Sequence, residues 1–166
     1  MAKLPKEIVK FPNPILRKKA KAIKRVTPEI LALIDSMELT MRKAPGVGLA
    51  APQVGESVRV VIADAGEGLH AIINPKIFSK AKKQVFLEGC LSLPGVEAPV
   101  ERAESIKVSG LNRCGKKITI EAHGFLATIL QHEIDHLDGF VFIDRVKDPN
   151  LIKYVPLIKE SKEEAI

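Results

Sequence analysis

The chain has 166 residues, of which 46% are hydrophobic and 28% charged, with a formal net charge of +6 at pH 7 and a pI near 9.3. This length suits a single domain over residues 1–166, and no stretch approaches the roughly 18 unbroken apolar residues that a membrane-spanning helix needs. One Tyr, no Trp and six Phe argue against dedicated nucleic-acid recognition by stacking, and two cysteines exclude a disulfide scaffold. Residues 1–7 lack the features of a signal peptide, so we expect a cytoplasmic protein without membrane contact, whose basic balance permits an anionic partner such as RNA.

The first predicted helix begins at Pro28. Thr27 is a suitable N-cap, Pro28 suits the first helical position and Glu29 complements the helix dipole. Apolar residues then recur at helical spacing: Ile30, Leu33, Ile34, Met37 and Met41. Ala44-Pro45-Gly46 ends this helix. The next stretch, Gly46 to Gln53, has small residues that let the backbone approach another group closely. It is either a tightly packed linker or one wall of a site, with Gln53 pointing inward.

The middle of the chain predicts antiparallel strands joined by hairpins. The predicted strands are Val58 to Ala63, Leu69 to Ile73, Gln84 to Leu87, Ser105 to Val108 and Ile118 to Glu121. Asn74-Pro75 should close the second strand, and the charged segment Lys76 to Lys83 is typical of a loop or edge. Asn150 to Glu164, within a tail of about 148–166, is amphipathic and predicted to be helical, with Pro156 kinking it or delaying its start.

A second predicted helix, from Gly124 or Phe125 to Leu137, carries the sequence His132-Glu133-Ile134-Asp135-His136. On a helix the two histidines lie one turn apart on one face, where they can bind a divalent metal ion with Glu133 beside it to move protons. The alternative is a surface helix with two solvated histidines. The apolar residues around the motif favour a buried helix, in which a metal would satisfy all three polar side chains.

These elements predict an α+β fold, with antiparallel β-sheets packed around the central helix, an N-terminal helix and a C-terminal helical segment. The identity of a third metal ligand then decides the class of site, since catalytic sites have three protein ligands and one open position. No His follows His136, and the late glutamates lie in a Lys-rich tail. Cys90 is the better candidate, because a metal would stabilise its thiolate. We expect the remaining cysteine and histidines to be bystanders: Cys114, His70 and His123.

Three stretches in order resemble the motifs of the peptide deformylases. They are Gly46-Val47-Gly48-Leu49-Ala50-Ala51-Pro52-Gln53, Glu88-Gly89-Cys90-Leu91-Ser92 and Gln131-His132-Glu133-Ile134-Asp135-His136. Asn13-Pro14-Ile15-Leu16-Arg17 is similar to the family's N-terminal segment, and the similarity covers residues 5–147. The resemblance implies a hydrolase of protein biosynthesis that acts in N-terminal processing. Its reaction would remove the N-formyl group from the initiator formylmethionine of nascent bacterial-type polypeptides and release formate.

The resemblance also implies a metal centre and a mechanism. The metal ligands would be Cys90, His132 and His136, with Fe²⁺ the usual ion and Zn²⁺ or Ni²⁺ able to substitute. Metal binding lowers the pKa of a bound water towards about 7, so that hydroxide is available at neutral pH to attack the formyl carbon. Glu133 would act first as general base towards this water and then as general acid towards the leaving amine.

Further roles follow from the same resemblance. The Leu91 backbone N–H and the Gln53 side-chain amide would hold the developing oxyanion, each typically worth about 3 kcal/mol of barrier. Gly48 and Gly89 would let the peptide approach as an added strand. The remaining expected substrate contacts, most of them around the methionine side chain, are Val47, Phe86, Leu93, Phe125 and Thr128.

Two features depart from the family pattern, and two other classes of protein stay open. Glu97 stands where some members carry Arg, so the peptide preference beyond methionine could differ. The C-terminal segment is short, which leaves ribosome docking through it, or through the basic surface, an open question. A zincin-type metallopeptidase would take a downstream ligand in place of Cys90. A non-catalytic, metal-stabilised module that docks on RNA or the ribosome would not need Glu133.

Overall fold

The structure is a computed structural model that describes residues 3–156. Its two α-helices are α1 (Pro28–Lys43) and α2 (Gly124–Leu137). Its strands are β1 (Gly48–Ala50), β2 (Val60–Ala63), β3 (His70–Ala81), β4 (Gln84–Cys90), β5 (Leu93–Arg102), β6 (Ser105–Leu111), β7 (Lys117–His123) and β8 (Lys153–Tyr154). Short 3-10 helices span Pro14–Arg17, Ala51–Val54, Phe142–Arg145 and Pro149–Leu151. Among residues 3–156, no helix is long and apolar enough to cross a membrane.

The strands form two antiparallel sheets. The larger sheet has the order β1-β2-β3-β6-β7, and the smaller has the order β4-β5-β8. Successive residues of a strand point to opposite faces, and β2 is buried on both. Val61 and Ala63 belong to the apolar cluster that contains α2, whereas Val60 and Ile62 belong to the cluster that contains α1. The larger sheet therefore lies between the two helices, with α1 packed on one face and α2 on the other.

A third apolar cluster joins the smaller sheet to the segment after α2. Leu93, Ala98 and Val100 of β5 pack there against Val141 and Phe142. Each fully buried valine, leucine or phenylalanine side chain contributes about 1.5–3 kcal/mol through removal of its apolar surface from water. This packing fixes β4, the neighbour of β5, alongside α2.

The two predicted helices that became α1 and α2, and the α+β class, are confirmed. The Thr27 side chain accepts a hydrogen bond from the Ile30 N–H, so it caps α1 as expected. The predicted strands Ser105 to Val108 and Ile118 to Glu121 form a hairpin, as parts of β6 and β7. Helix α2 ends at Leu137, and Gly139 follows with a φ of +82° that favours glycine.

Two predictions were wrong in the described part of the chain, and one strand was missed. Asn74-Pro75 does not close a strand: β3 continues to Ala81 with a register shift between Ile73 and Lys76, where proline is tolerated in a bulge. The whole of β5 was missed. In the predicted C-terminal helix, residues 150–156 contain the end of a 3-10 helix and the strand β8, which pairs with β5, while residues 157–164 lie outside the described chain.

Candidate active site

Helix α2 carries three polar side chains into the interior. His132, Glu133 and His136 are all buried, which excludes the alternative of a surface helix with solvated histidines. The four-residue spacing puts both imidazoles on one face, and their ring centroids are 5.2 Å apart. The apolar residues of α2 therefore bury these groups, which predicts that they have partners other than bulk water.

Strand β4 brings a thiol to the two histidines. Cys90 Sγ lies 3.4 Å from His136 Nε2. One ligand atom from each of Cys90, His132 and His136 lies within 4.8 Å of the others, a group that can hold one metal ion. A thiolate and two imidazoles are the donor set of zinc and other first-row transition metals.

Two buried atoms at this centre have no hydrogen-bond partner among the described residues. They are Glu133 Oε2 and His136 Nδ1. Buried polar atoms in folded proteins almost always have a partner, so the unpartnered Glu133 oxygen beside the ligand group indicates a group supplied from outside the chain. Burial and the charges of His132 and Arg102 lower the pKa of His136 well below its ordinary value. The His136 ring is therefore neutral, which is the form that ligates metals. The centre fits a divalent metal ion.

Glu88 determines which nitrogen of His132 faces the centre. His132 Nδ1 lies 2.8 Å from Glu88 Oε1, where Nδ1–H donates to the carboxylate and Nε2 is left as the nitrogen that would bind a metal. Arg102 donates to both oxygens of Glu88, over 2.7 and 3.0 Å. Burial alone would raise the pKa of Glu88, but the hydrogen bonds from His132 and Arg102 outweigh it and lower that pKa. The carboxylate therefore stays ionised and orients the imidazole.

Glu133 lies beside the ligand group, and its burial raises its pKa. Its Oε1 is 3.9 Å from His132 Nε2. Burial raises the pKa of Glu133 to about 7. A group with such a pKa can both accept and release a proton near neutral pH. Gly48 leaves room for it, because a Cβ at that position would lie 2.8 Å from Glu133 Oε1.

The carboxamide of Gln53 is held with its donor side towards Cys90. Gln53 Oε1 accepts a hydrogen bond from the Ala50 N–H over 2.9 Å. Its Nε2 then donates to Ser92 Oγ over 3.1 Å and lies 3.5 Å from Cys90 Sγ. On the same side, Lys10 Nζ donates to the Leu91 carbonyl over 3.1 Å. Gln53 therefore faces the centre from the loop predicted to be a wall of the site.

A cavity of about 320 Å³ opens beside these groups and is lined mainly by apolar side chains. Its lining includes Gln53, Leu91 and Glu133, for which catalytic roles are expected. It also includes six of the seven expected substrate contacts: Val47, Gly48, Phe86, Gly89, Phe125 and Thr128. Leu93 is not brought there. It is only 6% exposed and packs in the core cluster with Val141 and Phe142. Ile129 lines the cavity and was not among the expected contacts.

Sequence reasoning missed the polar residues that support the site, namely Glu88, Ser92 and Arg102. A signal for Glu88 was available, because Gln84, Phe86, Glu88 and Cys90 alternate along β4 and share its less exposed face. A carboxylate two residues before a metal-ligand candidate on that face indicates a supporting role. Arg102 gave no such signal, because β5 itself was missed. The expected bystander Cys114 is exposed in the turn between β6 and β7.

Known proteins are similar to this chain in sequence and in fold. A profile of the polypeptide deformylase family matches residues 5–151. The peptide deformylase of Halothermothrix orenii is 52% identical over 142 residues, covering 84% of this chain and 92% of that protein. The crystal structure of the Thermotoga maritima peptide deformylase has a TM-score of 0.85 at 41% identity, covering 87% of this chain and 99% of that one. A Met-Ala-Ser-bound peptide deformylase from Acinetobacter baumannii has a TM-score of 0.85 at 33% identity, covering 87% of this chain and all of that one.

Proposed function

The chain belongs to the polypeptide deformylase family, and on that premise we propose that Cys90, His132 and His136 hold its catalytic metal ion. Members of this family are metal-dependent enzymes that remove the N-formyl group from nascent polypeptides, and this chain is such an enzyme. The observation that carries the assignment of ligands is the convergence of one thiol and two imidazoles, whose ligand atoms lie within 4.8 Å of one another.

Fe²⁺ is the proposed native ion, with Zn²⁺ and Ni²⁺ able to replace it. The mixed sulfur and nitrogen donor set suits all three. Fe²⁺ binds such sites more weakly than Ni²⁺ or Zn²⁺, so metal availability in the cell decides occupancy. Metal analysis after anaerobic purification from the native host tests this choice. Iron bound in near-stoichiometric amounts supports it, and zinc bound to a fully active enzyme contradicts it.

Glu133 is the proposed general base and acid. A divalent ion at this centre would supply a water acidic enough to lose its proton near neutral pH. Glu133 is buried beside the ligands with a pKa of about 7, so it can take that proton and later deliver it to the leaving amine. The room that Gly48 leaves keeps this carboxylate at the edge of the cavity.

Gln53 and Leu91 are the proposed donors to the oxyanion that develops on the formyl oxygen. The Ala50 N–H fixes the Gln53 carboxamide so that Nε2 points to the Cys90 side. Leu91 lines the same cavity and is the residue after Cys90, so its backbone N–H lies beside the proposed ligand. A fixed donor of this kind is worth about 3–4 kcal/mol when it meets developing charge.

The substrate is proposed to lie in the cavity with its methionine side chain against apolar walls. Phe86 and Phe125, whose ring centroids are 5.7 Å apart, and Thr128 form one wall. Val47, Gly48 and Gly89 line the cavity where a peptide backbone could pair as an added strand. The Acinetobacter relative with bound Met-Ala-Ser supports a peptide that begins with methionine. Leu93 is not proposed as a substrate contact, because it packs in the core and does not line the cavity.

The proposed location is the cytoplasm, and the proposed further partner is the ribosome, from which nascent chains emerge. The net charge of +6 supports attraction to ribosomal RNA. Co-sedimentation of the protein with ribosomes at low and high salt tests this contact, because electrostatic binding weakens steeply with salt. Binding absent at low salt would exclude it.

The ligand assignment is tested with the two cysteines as a matched pair. Wild type, Cys90→Ala and Cys114→Ala are loaded with Co²⁺, and the metal-to-protein ratio and the thiolate-to-cobalt absorption are measured. We expect Cys114→Ala to match wild type, since this residue is exposed and remote in the fold. Cys90→Ala should lose the thiolate absorption and bind cobalt weakly. Unchanged cobalt binding in Cys90→Ala would favour a zincin-type site instead.

A further inference from the structure

A row of alternating charges connects the protein surface to His132. Arg145 donates to both oxygens of Asp135, over 3.1 and 3.0 Å. Asp135 also accepts from Arg102 Nη1 over 3.0 Å. The other two donors of the Arg102 fork bind Glu88, whose Oε1 accepts in turn from His132 Nδ1. The row therefore runs through five side chains without a gap.

Two oxygen atoms are shared between neighbours in the row. Asp135 Oδ2 accepts from both Arg145 Nε and Arg102 Nη1. Glu88 Oε1 accepts from both Arg102 Nη2 and His132 Nδ1. A shift of either guanidinium therefore moves an acceptor that the next residue uses. Planar guanidinium forks fix such geometry better than point charges do.

The row becomes more buried towards the metal centre. The side chains of Arg102 and Glu88 are each 5% exposed, that of Asp135 is 16% exposed and that of Arg145 is 45% exposed. Buried charges are screened little, so each inner charge depends on its partner. Arg102 in particular has two carboxylates, and without Asp135 its charge would be balanced by Glu88 alone.

The outer end of the row is a fixed contact. Arg145 binds Asp135 through two parallel hydrogen bonds, which is the strongest geometry for this pair. Its guanidinium also lies 4.6 Å from the centroid of the Phe140 ring. The Phe140 N–H donates to the Asp135 carbonyl, so ring and carboxylate belong to one local structure. Arg145 is therefore held between Asp135 and Phe140.

We propose that Asp135 and Arg145 are positioning residues of the metal centre, which act through Arg102 and Glu88 on His132. The proposal rests on the assignment of His132 as a metal ligand. Arg145 places the shared oxygen of Asp135, Asp135 anchors Arg102, and Arg102 holds the Glu88 carboxylate against His132 Nδ1. The Glu88 carboxylate thereby fixes the orientation of the His132 ring and makes its other nitrogen, Nε2, a stronger donor to the metal.

Removal of the outer charges should therefore weaken metal binding while the fold persists. Loss of a partner that orients a ligating histidine typically costs about 10- to 100-fold in metal affinity. Asp135 acts one step further out, so we expect about a tenfold loss for Asp135→Asn, at the lower end of that range. Arg145 is half-exposed and acts through Asp135, so Arg145→Gln should lose about threefold.

The experiment compares Co²⁺ affinities by competition with a chelator, read from the visible absorption of the bound cobalt. The matched control is Arg113→Gln, which removes an arginine of similar exposure, 41%, from its ion pair with Asp35. Thermal unfolding of each apoprotein shows whether the fold persists. We expect Arg113→Gln to keep wild-type affinity and the two row variants to lose affinity in the order given. Row variants within twofold of the control would overturn the proposal.

A double-mutant cycle tests whether the effect passes through Glu88. In a Glu88→Gln background, Asp135→Asn should cost less than twofold further, because the link to His132 is already weakened. A full tenfold cost in both backgrounds would contradict the proposed route. The ligand assignment fails separately: in that case wild type itself shows no thiolate absorption with cobalt, whatever the row variants do.

Discussion

His132 Nδ1 and Glu88 Oε1 lie 2.8 Å apart, in a pair buried between α2 and β4. The pair settles the tautomer of the histidine, because a carboxylate can only accept. It therefore leaves Nε2 as the nitrogen that turns to Cys90 and His136. In the proposed metal centre, α2 contributes the two histidines and the neighbouring strand β4 contributes both the thiol and this carboxylate.

Replacement of Glu88 should weaken metal binding without removing the residues that ligate. Glu88→Gln keeps the shape and an oxygen acceptor but loses the charge, so we expect about a 10- to 100-fold loss of metal affinity. Glu88→Ala should in addition destabilise the fold by about 3–5 kcal/mol, because Arg102 loses its inner partner. Chelator competition measures the first effect and urea unfolding the second. Wild-type stability of the Ala variant would contradict the role of the buried pair.

Gly48→Ala should reduce turnover with the metal retained. The added Cβ would lie 2.8 Å from Glu133 Oε1 and 2.7 Å from Ile129 Cγ2, so the carboxylate has to move. A displacement of about 1 Å in a catalytic group can cost about 100-fold in rate. Gly46→Ala is the comparison, since the one contact of its Cβ below 3 Å is with the tip of the Leu91 side chain at 2.8 Å. We expect a smaller loss of kcat there, and similar losses for both would argue against a steric effect on Glu133.

Gln53 should contribute to kcat more than to substrate binding. Gln53→Ala removes the amide donor, and loss of one such donor typically lowers kcat by about 10²- to 10³-fold. Gln53→Glu still offers an oxygen to the Ala50 N–H but has no donor, so it should be equally slow. Steady-state kinetics of formate release, with metal content measured in parallel, separates kcat from KM. A kcat within threefold of wild type in either variant would remove Gln53 from the mechanism.

Asp144 should make the stability of the protein depend on acid pH. Burial would raise the pKa of Asp144, but hydrogen bonds from Arg17 and the Val141 N–H outweigh it and lower that pKa. A carboxyl group with a lowered folded-state pKa stabilises the fold above its unfolded-state pKa of about 3.9 and loses this effect as the pH falls through the lowered value.

Asp144→Asn should therefore cost about 1 kcal/mol of unfolding free energy at pH 7, a modest value because the pair is partly exposed. The difference from wild type should shrink steadily below about pH 4. Urea unfolding of both proteins between pH 7 and pH 2.5 measures it. A difference that stays constant over this range would mean that the side chain acts by packing and not by charge.

Much of the fold could be predicted from local signals. Thr27 and Pro28 mark the start of α1, and the apolar stripe around His132 marks α2, because caps and helical periodicity are properties of neighbouring residues. The strand β5 was missed, since Pro94, Gly95 and Pro99 interrupt any strand pattern. Its conformation depends on pairing with the neighbouring strand β4 and with β8, which has only two residues and lies after α2 in the chain.

The ligand candidates of the site could be predicted from the sequence, because few residue types bind metals. Cys90 and His136 stood out as ligands by their type and spacing, and the structure places them together. Leu93 was expected in the substrate cavity but lies in the core, because β5 packs through Leu93, Ala98 and Val100 against Val141 and Phe142. The pairing of Arg102 with Glu88 joins residues of two strands, so it required knowledge of their register.

The central claim is that this metal centre hydrolyses a formamide with Glu133 as the proton carrier. The most direct measurement is formate release from an N-formyl-Met-Ala-Ser peptide by Fe²⁺-loaded protein under anaerobic conditions, for wild type and Glu133→Gln at equal metal content. We predict rapid release by wild type and at least a 100-fold lower rate for the variant, in line with loss of a general base. Wild-type protein with bound iron that releases no formate, or a variant as active as wild type, would contradict the claim.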